Sequence, residues 1–197
     1  MTHTGSDAEV ITDSLREPEH FGVLFNRHGP HIHRYLARRL GHEPADDLLA
    51  ETFLVAFGKR DRYVADRPDA RPWLYGIATH LVAQHRRDEV RRYRLVQAVP
   101  PAGDEPGHAE RVALDVTSQA LRGLLLDALA GISDGDRDVL LLVAQEQLSY
   151  EEVATALAIP VGTVRSRLHR ARQQVRAALG ASEPMTTTIE EVLHHGR

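Results

Sequence analysis

An all-α fold in two parts is predicted by three features of the chain. Apolar residues recur at helical spacing in nearly every segment that has a period, and no stretch shows the strict alternation of a half-buried strand. Between residues 96 and 117 the period gives way to proline, glycine and acid, as in "VPPAGDEPGHAERVALDVT". The 197 residues are 42% hydrophobic, enough for two small helical cores. The expected organisation is a flexible N-terminal arm (1–17), a helical domain (18–95), an acidic flexible linker (96–117), a second helical domain containing a helix-turn-helix (118–180) and a tail (181–197).

The elements follow in order. In "HFGVLFNRHGPHIHRYLARRL", Phe21, Leu24, Phe25, Ile32, Tyr35, Leu36 and Leu40 keep the helical period, with Gly29-Pro30 inside it. Proline suits a first helical turn, so this reads as two helices or one sharply kinked helix. A further helix is expected from about Ala45 to Phe57, with Leu48, Leu49, Thr52, Phe53 and Ala56 on one face. Asp46, Asp47 and Glu51 lie at or near its N-terminal end, where the helix dipole favours negative charge. Prolines make "ADRPDARP" a loop. "WLYGIATHLVAQHRRDEVRRYR" then reads as a long helix, apolar early and basic late. Past the linker, "QALRGLLLDALAGI" is helical, Ser133 opens the next helix, and Ser149 with Glu152 forms a capping box for the one after. Pro160 opens the last helix and Gly180 ends it.

That last helix concentrates charge. The chain has a formal net charge of −4, yet Pro160–Gly180 holds five arginines and no acid. At about 100° per residue, Val164, Leu168, Ala171, Val175 and Leu179 form one apolar stripe. Ser166, His169, Arg170 and Gln173 lie opposite it, Arg165, Arg172 and Arg176 stack on one flank, and Arg167 lies on the other. A short amphipathic helix, the tight turn "AIPVG" and a helix with a basic outer face make a DNA-reading helix-turn-helix. Arginine reads guanine edges by a bidentate fork and also binds phosphate.

The residues that carry this reading also carry a family resemblance. "LSYEEVATALAIPVGTVRSRLHRARQQV" resembles the −35-reading segment of extracytoplasmic-function sigma factors of the sigma-70 family. "DDLLAETFLVAF" resembles the family's polymerase-docking helix, "RPWLYGIATHLVAQHRR" its −10 helix, and "ISDGDRDVLLL" the helix before the helix-turn-helix. The segments occur in the family's order over roughly residues 18–180.

The resemblance implies a protein that binds the bacterial RNA polymerase core at the β′ clamp and β flap, directs it to promoter DNA and helps open the duplex. It implies no catalysis of its own, no cofactor, a cytoplasmic location, and an anti-sigma factor as a further partner. Carried onto this sequence, the core-binding positions are Asp47, Leu48, Glu51 and Phe53, with Phe53 also suited to the core. The −10 set is Tyr63, Arg71, Trp73, His80, Gln84, Arg86 and Arg87, with the loop Tyr63–Pro72 standing where the family captures a flipped base. The −35 set is Thr163, Arg165, Ser166, Arg167, His169, Arg170 and Gln173. Two positions depart from the pattern: Ala50 stands where glutamine is usual, and His80 where asparagine is usual. The acidic linker, with Asp104, Glu105 and Glu110, is the part that in the family threads through polymerase channels lined with positive charge.

Other classes fit less well. With no cysteine, disulfides and thiolate zinc sites are excluded. "HGPHIH" lacks the spacing and the nearby acid of a metal site. No phosphate-cradling glycine loop, nucleophile elbow or HExxH motif occurs. The N-terminus lacks the pattern of a secretory signal, and no apolar run is long enough to span a membrane. A regulator with a receiver domain would show alternating strands and helices in its first half, which this chain does not.

Overall fold

The computed structural model describes residues 5–97 and 131–180. Among them are seven α-helices and no strand: α1 (Asp7–Asp13), α2 (Gly22–Leu40), α3 (His42–Gly58), α4 (Arg71–Gln97), α5 (Asp134–Ala144), α6 (Tyr150–Leu157) and α7 (Val161–Gly180). Most of the linker, the helix expected from "QALRGLLLDALAGI" and the tail lie outside the described residues.

In the N-terminal half, α2, α3 and α4 pack on one another around Leu24, Ile32, Tyr35, Leu36, Leu48, Phe53, Leu74 and Val82. The Gly29-Pro30 step does not divide α2, which runs unbroken through Pro30. Burial of Leu24 ahead of the proline and of Ile32, Tyr35 and Leu36 behind it keeps both turns on one face. The N-terminal arm also differs from expectation. Ser6 and Glu9 form a capping box that starts α1, and Val10 and Ile11 are buried in the core. The polar sequence hid this because only one short face of the helix is apolar.

In the C-terminal half, Ser133 caps α5, a Ser149–Glu152 capping box starts α6, and α7 lays Val164, Leu168, Ala171 and Val175 into the core. These four residues of the stripe drawn from the wheel are therefore buried.

The two halves share one core and a polar seam. Gly76 of α4 lies so close to α6 that a Cβ there would stand 2.7 Å from the carbonyl oxygen of Ala156. The Tyr35 hydroxyl donates to Asp138 at 2.9 Å and contacts the Thr79 hydroxyl at 2.9 Å. Arg39, almost wholly buried, pairs with Asp138 at 2.7 Å and with Asp134 at 3.3 Å. The Tyr75 hydroxyl donates to Glu146 at 2.5 Å, and Arg86 pairs with Asp134. Burial pushes the Asp138 carboxyl above the usual carboxylate range against the opposing pull of Arg39, Tyr35 and Arg86. It raises the phenols of Tyr35 and Tyr75 as well.

Candidate nucleic-acid interface

The helix-turn-helix is built by a tight link. Helix α6 ends on Ala158, which takes a left-handed conformation (φ 51°), and Ile159 N–H donates back to Ala154 at 3.0 Å. The Pro160 carbonyl then accepts from Thr163 and Val164 N–H at 2.9 and 3.1 Å, starting α7. With the apolar stripe of α7 buried, Arg165, Ser166, His169, Arg170 and Gln173 are exposed, while Thr163, Arg167 and Arg172 are half-buried.

The arginines of α7 are not equivalent. Arg170 is held along one edge of its guanidinium by the buried Asp136 of α5, with Nη2 at 2.9 Å from Oδ1 and Nε at 3.1 Å from Oδ2. Arg167 lies against α5, where a Cβ on Gly135 would stand 2.8 Å from its Nη1. Arg165 is exposed.

The predicted −10 residues divide in two. His80, Gln84 and Arg87 are exposed along one stripe of α4, which Arg91 continues. Arg71 and Arg86 instead face the C-terminal half: Arg71 Nη1 donates to the Glu146 carbonyl at 3.4 Å, and Arg86 donates to the Arg39 carbonyl at 2.9 Å besides pairing with Asp134. A cleft of about 630 Å³ lies beside Arg86, lined also by Ala83, Arg87, Val90, Arg91 and Asp134 among others.

Trp73 is half-buried and packs on Tyr63 with ring centroids 5.0 Å apart. The Tyr63 hydroxyl donates to the carbonyls of Arg67 and Asp69 at 2.6 and 3.2 Å, bracing the loop between α3 and α4 from within. Burial, followed by the Asp7 and Asp69 charges, pushes the Tyr63 phenol up to about 12. The loop's tip, Val64 to Pro68, is exposed.

On α3 the predicted docking residues divide between the core and the outer face. Leu48 and Phe53 are buried in the core, Phe53 stacking edge-on against Phe25 at 5.0 Å. Asp47 and Glu51 are exposed, and one turn beyond Glu51 on the same face stands the apolar Leu54, 71% exposed. Glu43, Asp47, Ala50, Glu51, Leu54 and Gly58 share this outer face. Sequence reasoning left Leu54 off the buried face but did not single it out, because the resemblance carried the apolar docking positions to Leu48 and Phe53. No group of three or more histidine or carboxylate side chains suited to a metal occurs among the described residues, and none of their helices is long and apolar enough to cross a membrane.

Two family patterns fall on these elements. Residues 24–92 match Sigma-70 region 2, and residues 122–175 match Sigma-70, region 4. The chain is 34% identical over 193 residues to the ECF RNA polymerase sigma factor SigC of Mycobacterium tuberculosis, covering 93% of this chain and 97% of that protein. This chain belongs to the extracytoplasmic-function sigma factors of the sigma-70 family. The sigma factor is also 36% identical over 166 residues to CarQ of Myxococcus xanthus, covering 83% of this chain and 91% of CarQ. Its fold resembles that of CnrH, solved in complex with the cytosolic domain of CnrY, with a TM-score of 0.65 and 25% identity over 90% of this chain and 99% of that one. The CnrH of Cupriavidus metallidurans is 31% identical to this sigma factor over 172 residues. The all-α fold and the family expected from sequence are thus both found.

Proposed function

We propose that this sigma factor binds core RNA polymerase, carries it to a set of promoters through two separate DNA-reading surfaces, and assists duplex opening without catalysing RNA synthesis itself. The observation that carries the reading is the outer face of α7, where Arg165, Ser166, His169, Arg170 and Gln173 stand exposed on the second helix of a helix-turn-helix with no acid beside them in the helix. In this reading that face enters the major groove of the −35 element. His80, Gln84 and Arg87, with the loop beginning at Tyr63, take the −10 element, where opening requires cations along phosphate and surfaces that hold unstacked bases.

The acid-rimmed Leu54 on α3 suits a basic β′ clamp partner, an apolar anchor with charges that steer. The C-terminal domain would meet the β flap, and an anti-sigma factor is a further proposed partner; CnrH, too, is solved with a bound protein, the cytosolic domain of CnrY. A protein that acts with RNA polymerase would work in the cytoplasm. The domain limits proposed are those read from sequence, except that residues 7–13 belong to the N-terminal domain. Purified protein added to core polymerase is expected to give promoter-specific transcripts that core alone does not. Failure to bind core in a pull-down sinks the reading.

A further inference from the structure

Asp7, at the start of α1, is 7% exposed and reaches three parts of the N-terminal half. Its carboxylate accepts from Arg27 Nη1 at 2.9 Å and lies 2.7 Å from His28 Nε2, both on α2. One of its oxygens also accepts the Ala70 backbone N–H at 3.0 Å, where the loop enters α4. Its own backbone N–H donates to the Pro68 carbonyl at 3.1 Å. The last turn of the loop is therefore held by a residue more than sixty positions away in sequence, and α2 fixes that residue in turn. At the loop's other end Tyr63 is held by Trp73 and by its own bonds to Arg67 and Asp69. Between these two anchors the side chains of Val64, Ala65, Asp66 and Arg67 are exposed.

A loop that discriminates among bases must hold its contact groups within a fraction of an ångström of one geometry. Within the exposed tip the Arg67 N–H donates to the Val64 carbonyl at 3.1 Å, a turn bond that does not tie the tip to the rest of the domain. The bonds that do so run inward, and the one charged group among them that comes from a separate helix is Asp7.

We propose that Asp7 is a positioning residue for −10 recognition: helix α1, through the Asp7 carboxylate, sets the conformation in which loop 63–70 meets the unpaired base. The proposal rests on the reading of this loop as a −10 element. It makes the N-terminal helix part of promoter selectivity, although α1 presents no base-reading group of its own.

The test uses holoenzymes reconstituted with the full chain carrying Asp7→Ala or Asp7→Asn. Initial transcription is compared on promoters with single substitutions in the −10 or the −35 element. Both variants are expected to bind core and to keep −35 discrimination. Asp7→Ala should lose about fivefold or more of the discrimination at one −10 position. Asp7→Asn should lose less, since its amide oxygen still accepts from Ala70.

A second readout needs no transcription. Trp73 is the only tryptophan, so its emission reports the packing at the loop's base, and Asp7→Asn should shift it and weaken its response to a single-stranded −10 oligonucleotide. Unchanged −10 discrimination in Asp7→Ala, or equal losses at −10 and −35, overturns the proposal. Should Asp7→Ala fail to fold, unchanged Trp73 emission and oligonucleotide response in Asp7→Asn overturn it instead. Arg67→Ala on the loop tip separates the two levels. If that variant keeps full −10 discrimination, the loop reading fails and the proposal falls with it; if it loses discrimination while the Asp7 variants do not, only the proposal falls.

Discussion

Asp136 grips Arg170 along one edge of its guanidinium, through Nε and Nη2, and leaves the opposite edge facing outward. The pair is asymmetric in burial: the Asp136 side chain is 6% exposed and that of Arg170 is 53% exposed. The carboxylate cannot serve a partner, but it fixes the plane of a group that can. An arginine oriented in advance loses less freedom when it forms two parallel bonds to a guanine. Asp136→Asn should therefore reduce discrimination at the one −35 base pair that Arg170→Ala affects, a contact worth about 1–3 kcal/mol when well formed. The two substitutions should be non-additive in a double-mutant cycle. Binding of single-substitution −35 duplexes by the holoenzyme checks this, and additive losses would refute the coupling.

Leu54 and Phe53 are neighbours in sequence with opposite predicted consequences. Phe53 lies in the core against Phe25. Phe53→Ala should cost about 3–5 kcal/mol of stability, as large-to-small core changes do. Leu54→Asp should leave the melting temperature unchanged and weaken binding to core polymerase by roughly tenfold or more, as loss of an interface anchor does. Thermal melts paired with a core-binding titration separate the two. A Leu54→Asp protein that competes for core as well as the native one would remove α3's outer face from the docking surface.

The contrast between these residues shows what periodicity can and cannot reveal. On α7, where apolar and charged residues alternate at a clean helical spacing, the wheel picks out Val164, Leu168, Ala171 and Val175, and these are buried. On α3 the period also puts Phe53 with Leu48, Thr52 and Ala56 on the buried face, but the docking role carried over by resemblance falls on Phe53 and not on the exposed Leu54. Asp7 and Asp136 were invisible for another reason. Each is an ordinary acidic residue near a helix N-terminus, and its partner lies tens of residues away. Arg71 and Arg86 look like members of the basic α4 set, yet their direction is fixed by acceptors on other elements, among them the Glu146 carbonyl and Asp134.

Gly76 sits one turn before His80 on the same stripe of α4, and α6 crosses directly over it. The closed packing of the two halves thus covers the start of the surface assigned to the −10 element and engages Arg71 and Arg86. Gly76→Gln should open this contact, because a side chain there meets the backbone of Ala156. Helix α4 itself should gain stability, glycine being about 1 kcal/mol worse than good helix formers in a helix interior. A larger radius of gyration by X-ray scattering, with unchanged helical content, is the expected result. An unchanged radius would mean that the halves stay together by other contacts.

Asp7 also predicts how acid acts on the N-terminal half. Burial alone would raise its carboxyl, but His28, the Ala70 N–H and Arg27 outweigh that and hold the pKa down at about 2. In the unfolded chain an aspartate titrates near 3.9 (about). A group lowered in the folded state stabilises above its unfolded value, and the contribution is lost as pH falls through the folded one. The native protein should therefore lose the part of its stability owed to Asp7 between about pH 4 and pH 2. Asp7→Asn, which cannot ionise, should be less stable than the native chain at pH 7, with the gap closing across that window. Urea titrations of both proteins at several pH values measure this. A gap that stays constant down to pH 2 would show that the carboxylate's charge contributes nothing to holding α1, α2 and the loop together.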